Sequence, residues 1–379
     1  MAPMLPAPPG STRTLGDVLS SALSAVRGDD NPLDLPAVRS AAVVLVDGLG
    51  AQPLAAHRGH ARHLTAAIPR RGGTIHSAFP TTTASALATL TTGRPAGEHG
   101  LVGYSAHDAA GDRVVNMLTG WDSSAHPEVW QRHETLFERA AGLGIEPVVI
   151  AAGRYADSGF TRAVLRGARF VAAESMADRL ERTRELLAGA EPRLVYTYLP
   201  ELDQAGHASG VSSARWLHRL EELDAALAHP LAPPGTGALL TADHGMLDIA
   251  PHARRVVAAD DELWRGVRHV AGEPRCLHLV ADDPAEAAGI HARWTAREAA
   301  RSWVVTRDEA IAAGWFGVAV DPSVVSRIGD VLVAARSAVV YYDERTATDR
   351  SLAMVGQHGS FSDAETRVPL ARFGAFVRT

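Results

Sequence analysis

The stretch Ala41–Gly50, AAVVLVDGLG, indicates the fold more clearly than any other part of the chain. Six consecutive apolar residues precede Asp47, and Gly48 follows it directly. Such an unbroken apolar run is typical of a strand that is buried on both faces, as in a parallel sheet. The glycine lets the chain turn sharply after the strand. We therefore expect Asp47 at the carboxyl edge of a parallel sheet, where α/β proteins form their pockets.

Further apolar runs alternate with segments of helical periodicity along the chain. Strands are predicted at Pro147–Ala152, Ala168–Ala172, Leu194–Leu199, Ala238–Thr241 and Ser351–Val355. Helices are predicted at Leu15–Val26, Glu134–Gly142, Ser175–Ala188 and Ser213–Ala228. This alternation is typical of a parallel sheet covered by helices. The sequence therefore predicts an α/β sandwich with a mostly parallel central sheet and helices on both faces.

Residues 248–348 have a different pattern and lie between segments that carry candidate functional residues. Here we predict strands at Cys276–Ala281, Trp303–Thr306 and Val331–Val333, and a helix at Pro284–Ala299, whose proline suits the first helical position. We interpret 248–348 as a smaller inserted subdomain that covers the site as a cap. The core is then 37–247 together with 349–379, preceded by an N-terminal extension and helix at 1–36.

Composition excludes several kinds of chemistry. The chain is 46% hydrophobic and 21% charged, as in ordinary globular proteins, and its net charge of −6 argues against binding to a nucleic-acid duplex. A single cysteine, Cys276, excludes an internal disulfide and a cysteine-rich metal site. The absence of lysine excludes Schiff-base chemistry and a P-loop lysine. A bound phosphate would therefore be neutralised by arginine, a metal ion or backbone N–H groups.

The N-terminal sequence MAPMLPAPPGSTRTLGDVL is rich in proline and has no apolar run of secretory length. No stretch of the sequence is apolar for long enough to span a bilayer. We expect a cytoplasmic protein with a short disordered N-terminal segment and no membrane partner. No sequence pattern indicates an oligomeric state.

Four further segments combine acids, histidines and hydroxyls: FPTTTAS at 79–85, LPELDQAGH at 199–207, LLTADHGM at 239–246 and MVGQHG at 354–359. Asp203 and His207 are four residues apart and can face one ion from a single helical turn, although a surface ion pair has the same spacing. Asp243 and His244 follow an apolar run, and His358 precedes a glycine. Each residue alone also fits a cap, a turn or a structural histidine. Together with Asp47, these residues supply ligands for two zinc ions.

The segment FPTTTAS precedes a helical pattern, Ala84–Leu90. A helix N-terminus offers free N–H groups and the positive end of the helix dipole, which favour an alkoxide and a bound phosphate. Thr81, Thr82, Thr83 and Ser85 are all candidate nucleophiles on this argument, and ordinary helix capping is the alternative.

Charge balance supports a site with two metal ions. Two zinc ions bring four positive charges, while Asp47, Asp203, Asp243 and a metal-bound alkoxide bring four negative charges and the histidines bind neutral. Two metal ions about 3.5–4 Å apart can hold the attacking and leaving oxygens of an in-line displacement.

The combined residues resemble the alkaline phosphatase superfamily, and most closely its type I phosphodiesterase and nucleotide pyrophosphatase branch. The resemblance covers Ala41–Gly103, Leu194–Met246 and Met354–Gly359. It implies an alkaline phosphatase-like sandwich with two zinc ions, although other divalent ions also fit. One ion would be held by Asp203, His207 and His358, and the other by Asp47, Asp243 and His244. The family's Phe/Tyr-Pro-Thr-x-Thr segment places its nucleophile on Thr83.

Two departures from the family pattern affect substrate orientation. The family usually continues Phe-Pro-Asn after the nucleophile, whereas this chain has Ala84-Ser85-Ala86. TTGRPAGEHGLVG at 91–103 resembles another family stretch, with its proline displaced by one position. The asparagine that usually follows it and donates to a phosphate oxygen is replaced by Tyr104. We take the Tyr104 hydroxyl and the backbone N–H of Ala84 as candidate donors.

The resemblance implies hydrolysis of phosphodiester or nucleotide pyrophosphate bonds through a covalent phospho-threonine intermediate. The substrate would be a small phosphodiester or a nucleotide-like molecule, with Phe79, Tyr104, Trp121 or Tyr155 available to stack on a base, although such residues more often serve as core. A phosphomonoesterase, which would draw on Arg94 or Arg154, and a phosphonate hydrolase are alternatives on the same site. A sulfatase is disfavoured because Cys276 lies outside the nucleophile segment. A non-catalytic binding protein is disfavoured because the sequence contains every candidate metal-ligating residue and the nucleophile.

Overall fold

The structure, a computed structural model, describes residues 4–6, 13–122 and 125–377. The expected N-terminal disorder falls largely on residues 1–3 and 7–12, which lie outside the described residues. Among the described residues, no helix has the length and apolar character needed to cross a membrane.

Strands and helices alternate along most of the chain. The strands are β1 Ser40–Val46, β2 Thr74–His76, β3 Ser105–Asp108, β4 Arg113–Asn116, β5 Glu146–Ala151, β6 Arg169–Ala172, β7 Arg193–Leu199, β8 Thr236–Thr241, β9 Leu247–Asp248, β10 Arg254–Val257, β11 Val267–Glu273, β12 Cys276–Ala281, β13 Ser302–Thr306, β14 Val331–Ala335, β15 Val340–Asp343, β16 Gly356–Gln357, β17 Arg367–Pro369 and β18 Ala371–Gly374. The helices are α1 Gly16–Arg27, α2 Ala51–Ala56, α3 Arg62–Ala66, α4 Thr83–Thr92, α5 Ala96–His99, α6 Pro127–Trp130, α7 Leu136–Gly142, α8 Gly159–Val164, α9 Met176–Ala188, α10 Glu201–Ser209, α11 Ala214–Ala226, α12 Ala287–Glu298, α13 Arg307–Ala312, α14 Pro322–Val325, α15 Asp349–Ala353 and α16 Asp363–Thr366.

The central sheet has six strands in the order β18-β8-β1-β7-β5-β6. Its neighbours pair in parallel, except that β18 runs antiparallel to β8. Every residue of β1 is buried. Because successive side chains point to opposite faces of a strand, this burial requires that both faces of the sheet are covered. The predicted α/β sandwich with a mostly parallel sheet is therefore confirmed.

A second, antiparallel sheet is formed by four strands in the order β11-β12-β14-β13. Its apolar face packs with Ile290 and Trp294 of α12 in a cluster separate from the main core. The helix predicted at Pro284–Ala299 begins as a 3-10 turn at Pro284–Glu286, and α12 follows it. The whole sheet lies within 248–348, and the division of the chain into a core and an inserted cap subdomain stays a prediction.

The strand predicted at Ser351–Val355 is wrong. Its first three residues lie in helix α15 and its last two in neither helix nor strand. The helix begins after Thr348, whose side chain accepts a hydrogen bond from the Ser351 backbone N–H. A strand forms only afterwards, where β16 pairs with β9 over two residues. The helix cap therefore outweighs the short apolar run. The sequence prediction also missed the edge strands β11 and β18.

Candidate metal centre and nucleophile

The parallel sheet brings the acidic segments to one edge. Strand β1 is in register with both neighbours, so that Val46 lies opposite Leu199 of β7 and Leu45 lies opposite Thr241 of β8. Since the three strands run in the same direction, the residues after them meet at one edge. The residues that follow are Asp47, Asp203 on the first turn of α10, and the pair Asp243 and His244.

One ligand group consists of Asp203, His207 and His358. His207 Nε2 lies 3.3 Å from Asp203 Oδ1, and His358 Nε2 lies 3.9 Å from the same oxygen. The two histidine Nε2 atoms are 3.2 Å apart. Helix α10 carries the first two residues, and the third directly follows β16. One potential ligand atom from each of the three lies within 4.8 Å of the others.

The other ligand group consists of Asp47, Asp243 and His244, all of which are buried. His244 Nε2 lies 3.5 Å from Asp47 Oδ1 and 3.4 Å from Asp243 Oδ2. The two groups are in contact, because the rings of His244 and His358 stack with centroids 3.6 Å apart. The structure thus brings together all six residues that the sequence suggested as metal ligands besides the nucleophile.

The histidines are oriented by hydrogen bonds on the side away from the acids. The Nδ1 atoms of His207, His358 and His244 lie 2.8, 2.7 and 3.0 Å from the carbonyl oxygens of Gly356, Thr81 and Gly245. A carbonyl only accepts, so each Nδ1 carries the proton and each Nε2 presents its lone pair to the acids. Metal-binding histidines are commonly held in this way.

Three carboxylate oxygens in the centre have no hydrogen-bond donor among the described residues: Asp47 Oδ1, Asp203 Oδ1 and Asp243 Oδ2. These same atoms lie opposite the histidine Nε2 lone pairs. Buried acceptors that face other acceptors are unfavourable unless a cation lies between them. The residues therefore fit divalent metal ions, and their nitrogen and oxygen ligands suit zinc.

The ionisation of the buried groups agrees with this interpretation. Burial, followed by the charges of Asp243 and Asp203, raises the pKa of Asp47 well above its usual value. Burial also raises the pKa of Asp243. Burial and the neighbouring histidines lower the pKa of His358 well below its usual value. The charge of His244 lowers the pKa of Asp243 only in part against this burial, and bound cations would supply the further positive charge.

Backbone groups and one tyrosine hold the acids in place. The N–H groups of Gly48 and His244 donate to Asp243 Oδ1 over 3.1 and 2.9 Å. The hydroxyl of Tyr198 donates to Asp47 Oδ2. Sequence reasoning missed Tyr198, because a tyrosine within an apolar strand indicates ordinary core. Tyr198 lies on β7, which pairs with the strand that ends just before Asp47.

Gly48 allows the two groups to approach each other. Its φ of 72° lies in the left-handed region, and a Cβ atom there would lie 3.0 Å from the Cα of Asp203. A side chain at this position would be strained by its backbone conformation and would press on a candidate ligand.

Thr83 is the first residue of α4, and its Oγ1 lies 3.3 Å from His244 Nε2. The structure separates it from the other hydroxyls of the segment. The Thr81 hydroxyl donates to the carbonyl of Ser360, and the hydroxyl of Ser85 is buried without a partner among the described residues. Thr82 caps the helix without a side-chain hydrogen bond. Thr83 is therefore the hydroxyl of this segment that contacts a candidate metal ligand.

Tyr104 is 41% exposed, and its backbone N–H donates to Glu273 Oε2 over 2.8 Å. Within the described ranges its hydroxyl makes no hydrogen bond, so the structure does not place the phenol in the ligand groups. Of the other aromatic candidates, Phe79 stacks on Phe361, and Tyr155 contacts the ring of Tyr198.

The remaining candidates have local partners. Trp121 donates to the carbonyl of Met117. Arg94 pairs with Glu98, and Arg154 donates to the hydroxyl of Tyr155.

A third group of potential ligands, which the sequence did not suggest, lies at the surface. It consists of His107, Asp112 and His269. The guanidinium of Arg268 already donates to both carboxylate oxygens of Asp112. This arginine places a positive charge where a metal ion would bind, so the group differs from the buried ones.

The fold and the arrangement of acids, histidines and threonine define a member of the alkaline phosphatase superfamily. A family model describes the branch more closely: the type I phosphodiesterase/nucleotide pyrophosphatase model matches residues 41–361. The chain belongs to the type I phosphodiesterase/nucleotide pyrophosphatase family and is accordingly a hydrolase. The family that the sequence resembled is thereby confirmed.

Solved structures share this fold at low sequence identity. Human ectonucleotide pyrophosphatase/phosphodiesterase 5 matches with a TM-score of 0.67 and 15% identity, over 88% of this chain and 88% of that chain. An inactive form of the murine protein in complex with AMP matches with a TM-score of 0.66 and 15% identity, over 89% and 88% of the chains. Phosphonoacetate hydrolase from Sinorhizobium meliloti in complex with phosphonoacetate matches with a TM-score of 0.67 and 19% identity, over 89% and 91%. A comparison with curated protein sequences gives no match.

Proposed function

We propose that the protein hydrolyses phosphodiester or nucleotide pyrophosphate bonds through a covalent phospho-threonine intermediate on Thr83. The observation that carries this proposal is the contact of Thr83 Oγ1 with His244 Nε2, at 3.3 Å, at the start of α4. This hydroxyl contacts the group of Asp47, Asp243 and His244, and the ring of His358, from the other group, stacks on His244. The cytoplasmic location of the protein stays a prediction.

We assign one divalent ion to Asp203, His207 and His358 and another to Asp47, Asp243 and His244, with zinc as the preferred metal in both. When bound, such ions lower the pKa of a coordinated hydroxyl and polarise phosphate oxygens. The support for this assignment is the set of unpartnered carboxylate oxygens that face histidine lone pairs.

The chain's own groups then account for binding and displacement. The first backbone N–H groups of α4, including that of Ala84, have no partner within the helix, and they favour a phosphate oxygen at this end. Thr83 Oγ forms a bond to phosphorus while the bond to the leaving oxygen breaks. Water then takes the phosphoryl group from Thr83 and restores its hydroxyl. The Tyr104 hydroxyl stays a candidate donor to the developing charge.

The test of the assigned nucleophile compares Thr83→Val with Thr82→Val, because both residues are buried threonines. With zinc added and a chromogenic aryl phosphodiester as substrate, we expect Thr83→Val to lower kcat by about 1000-fold or more. Thr82→Val should stay near the wild type, because the Thr82 side chain makes no cap hydrogen bond. Turnover by Thr83→Val at the wild-type rate would disprove the assigned nucleophile.

A phosphonate hydrolase is the second candidate function. The observation in its favour is the match to phosphonoacetate hydrolase, whose TM-score equals that of the human phosphodiesterase. The absence of lysine leaves only arginine to pair with a second anionic group of such a substrate. A panel of a diester, a monoester and a phosphonate, each with several divalent ions, would separate the candidates. We expect the diester to have the highest kcat/KM.

A further inference from the structure

Glu273 is a buried acid that pairs with no cation among the residues that the structure describes. It ends β11, its side chain is 6% exposed, and no arginine pairs with it within the described part of the chain. The neighbouring Arg275 is fully engaged with Glu365. Burial raises the pKa of Glu273 to about 8. An unpaired buried carboxyl is costly, so its retention here calls for a physical reason.

One side of this carboxyl holds the segment that carries Tyr104. Glu273 Oε2 accepts the backbone N–H of Tyr104 over 2.8 Å. The next residue after Tyr104 adds a second contact, because the Ser105 hydroxyl donates to the Gly272 carbonyl over 2.9 Å. Both hydrogen bonds tie the start of β3 to the end of β11.

The other side of Glu273 touches the backbone beside a candidate metal ligand. Gly359 directly follows His358, and a Cβ atom at Gly359 would lie 2.4 Å from Glu273 Cγ and 3.0 Å from Oε1. Oε1 is buried and has no hydrogen-bond partner among the described residues. The side chain of Glu273 therefore fills the space between Tyr104 and the glycine after His358.

We propose that Glu273 is a positioning residue, which fixes the Tyr104 segment relative to the metal group that contains His358. This inference rests on the proposed function, because it assigns Tyr104 to the substrate side of the centre. Glu273 acts through its acceptor oxygen and its length and needs no negative charge. A glutamine would preserve both properties, whereas an aspartate is one methylene too short to span the gap.

The test compares Glu273→Gln, Glu273→Asp and Glu273→Ala in the zinc-loaded enzyme. We expect Gln to stay within about threefold of the wild type in kcat/KM. Asp and Ala should lower kcat/KM by about 10- to 100-fold, as expected for a displaced segment, and should retain the wild-type zinc content. The matched control is Glu298→Gln, because Glu298 is also buried next to the second sheet but bonds Tyr341 and Arg301 instead. This control should retain full activity.

A second readout does not depend on activity. Hydrogen exchange at residues 103–105, measured by mass spectrometry, should be faster in Glu273→Asp and Glu273→Ala than in the wild type and unchanged in Glu273→Gln. If the wild type hydrolyses no phosphoester, the proposed function fails, and this exchange pattern alone still decides the role of Glu273. Equal exchange and equal activity in Asp and Gln variants would overturn the inference. If the alanine variant does not fold, the Gln and Asp variants carry the comparison.

Discussion

Individual residues at this centre are placed against their usual chemical preferences. A carboxyl is normally charged and exposed at neutral pH, yet Asp47, Asp243 and Glu273 are all nearly inaccessible to solvent. For the two aspartates, the histidine lone pairs opposite them indicate that a cation restores the balance. For Glu273 no such partner exists among the described residues, so the proton itself keeps the group neutral.

This difference predicts a pH dependence for Glu273. Its folded-state pKa of about 8 lies above the usual value of 4.5, so the folded protein binds this proton more tightly than the unfolded chain. The resulting stabilisation is complete below the usual pKa and is lost as pH rises towards 8. Relative to Glu273→Gln, the wild type should therefore lose free energy of unfolding between about pH 5 and 8, at up to about 1.4 kcal/mol per pH unit. Urea unfolding of both proteins across this range measures the difference, and parallel pH curves would contradict it.

At the scale of elements, the turn between β11 and β12 joins the second sheet to the centre. Arg275 in this turn makes two hydrogen bonds of 2.7 and 2.8 Å to Glu365, and neither side chain is accessible to solvent. The Glu365 carboxylate accepts the N–H of Ser360, and its backbone carbonyl accepts the N–H of Gly245. Ser360 lies two residues after His358, and Gly245 directly follows His244. One ion pair therefore supports both candidate ligand groups.

Removal of one partner from this pair should be costly. Arg275→Met would leave the Glu365 carboxylate buried and unpaired, and we expect a loss of about 3–5 kcal/mol in the free energy of unfolding. The control is Arg182→Met, because the side chains of Arg182 and of its partner Glu185 are both more than half exposed. That change should cost about 1 kcal/mol or less. Urea titration measures the free energy of unfolding of both variants. Equal losses would contradict the larger cost expected for breaking a buried pair.

The elements also show how far sequence reasoning extends. Asp47 and Asp243 were predictable, because an apolar run followed by an acid and a glycine marks a strand end at a sheet edge. The structure of the segment before His358 was not predictable, because Thr348 caps a helix where the apolar residues suggested a strand. Tyr198 and Glu273 were missed for another reason. Their partners are 151 and 169 residues away in sequence, so no local pattern reveals them.

At the scale of the whole molecule, metal binding and folding should be coupled. The candidate ligands exist as groups only in the folded chain, so ions that bind them stabilise it by about 2.7 kcal/mol per site at 100 times their Kd. In the metal-free protein, the facing acids should instead oppose folding. Zinc should therefore raise the free energy of unfolding, and a chelator should lower it.

Asp47→Asn tests this coupling from both directions. Without metal it should be more stable than the wild type by about 1 kcal/mol or more, because a buried like charge is gone. With zinc it should gain less stability than the wild type, because one ligand is lost. Urea unfolding with zinc and with a chelator measures both effects. Asp224→Asn is the control, since Asp224 is buried but bonds the N–H of Leu64 and belongs to neither ligand group. A zinc response of Asp47→Asn equal to that of the wild type would contradict the assignment.

The order of the ligands along the chain has a consequence for synthesis on the ribosome. Asp47, Asp243 and His244 have all been translated about 110 residues before His358 is added. At elongation rates of about 5–20 residues per second, this interval lasts roughly 5–20 seconds. Strands β1, β7 and β8 have also been made by then. The nascent protein can thus complete one candidate ligand group while the other still lacks a residue, and we expect the first of the proposed ions to bind at that stage.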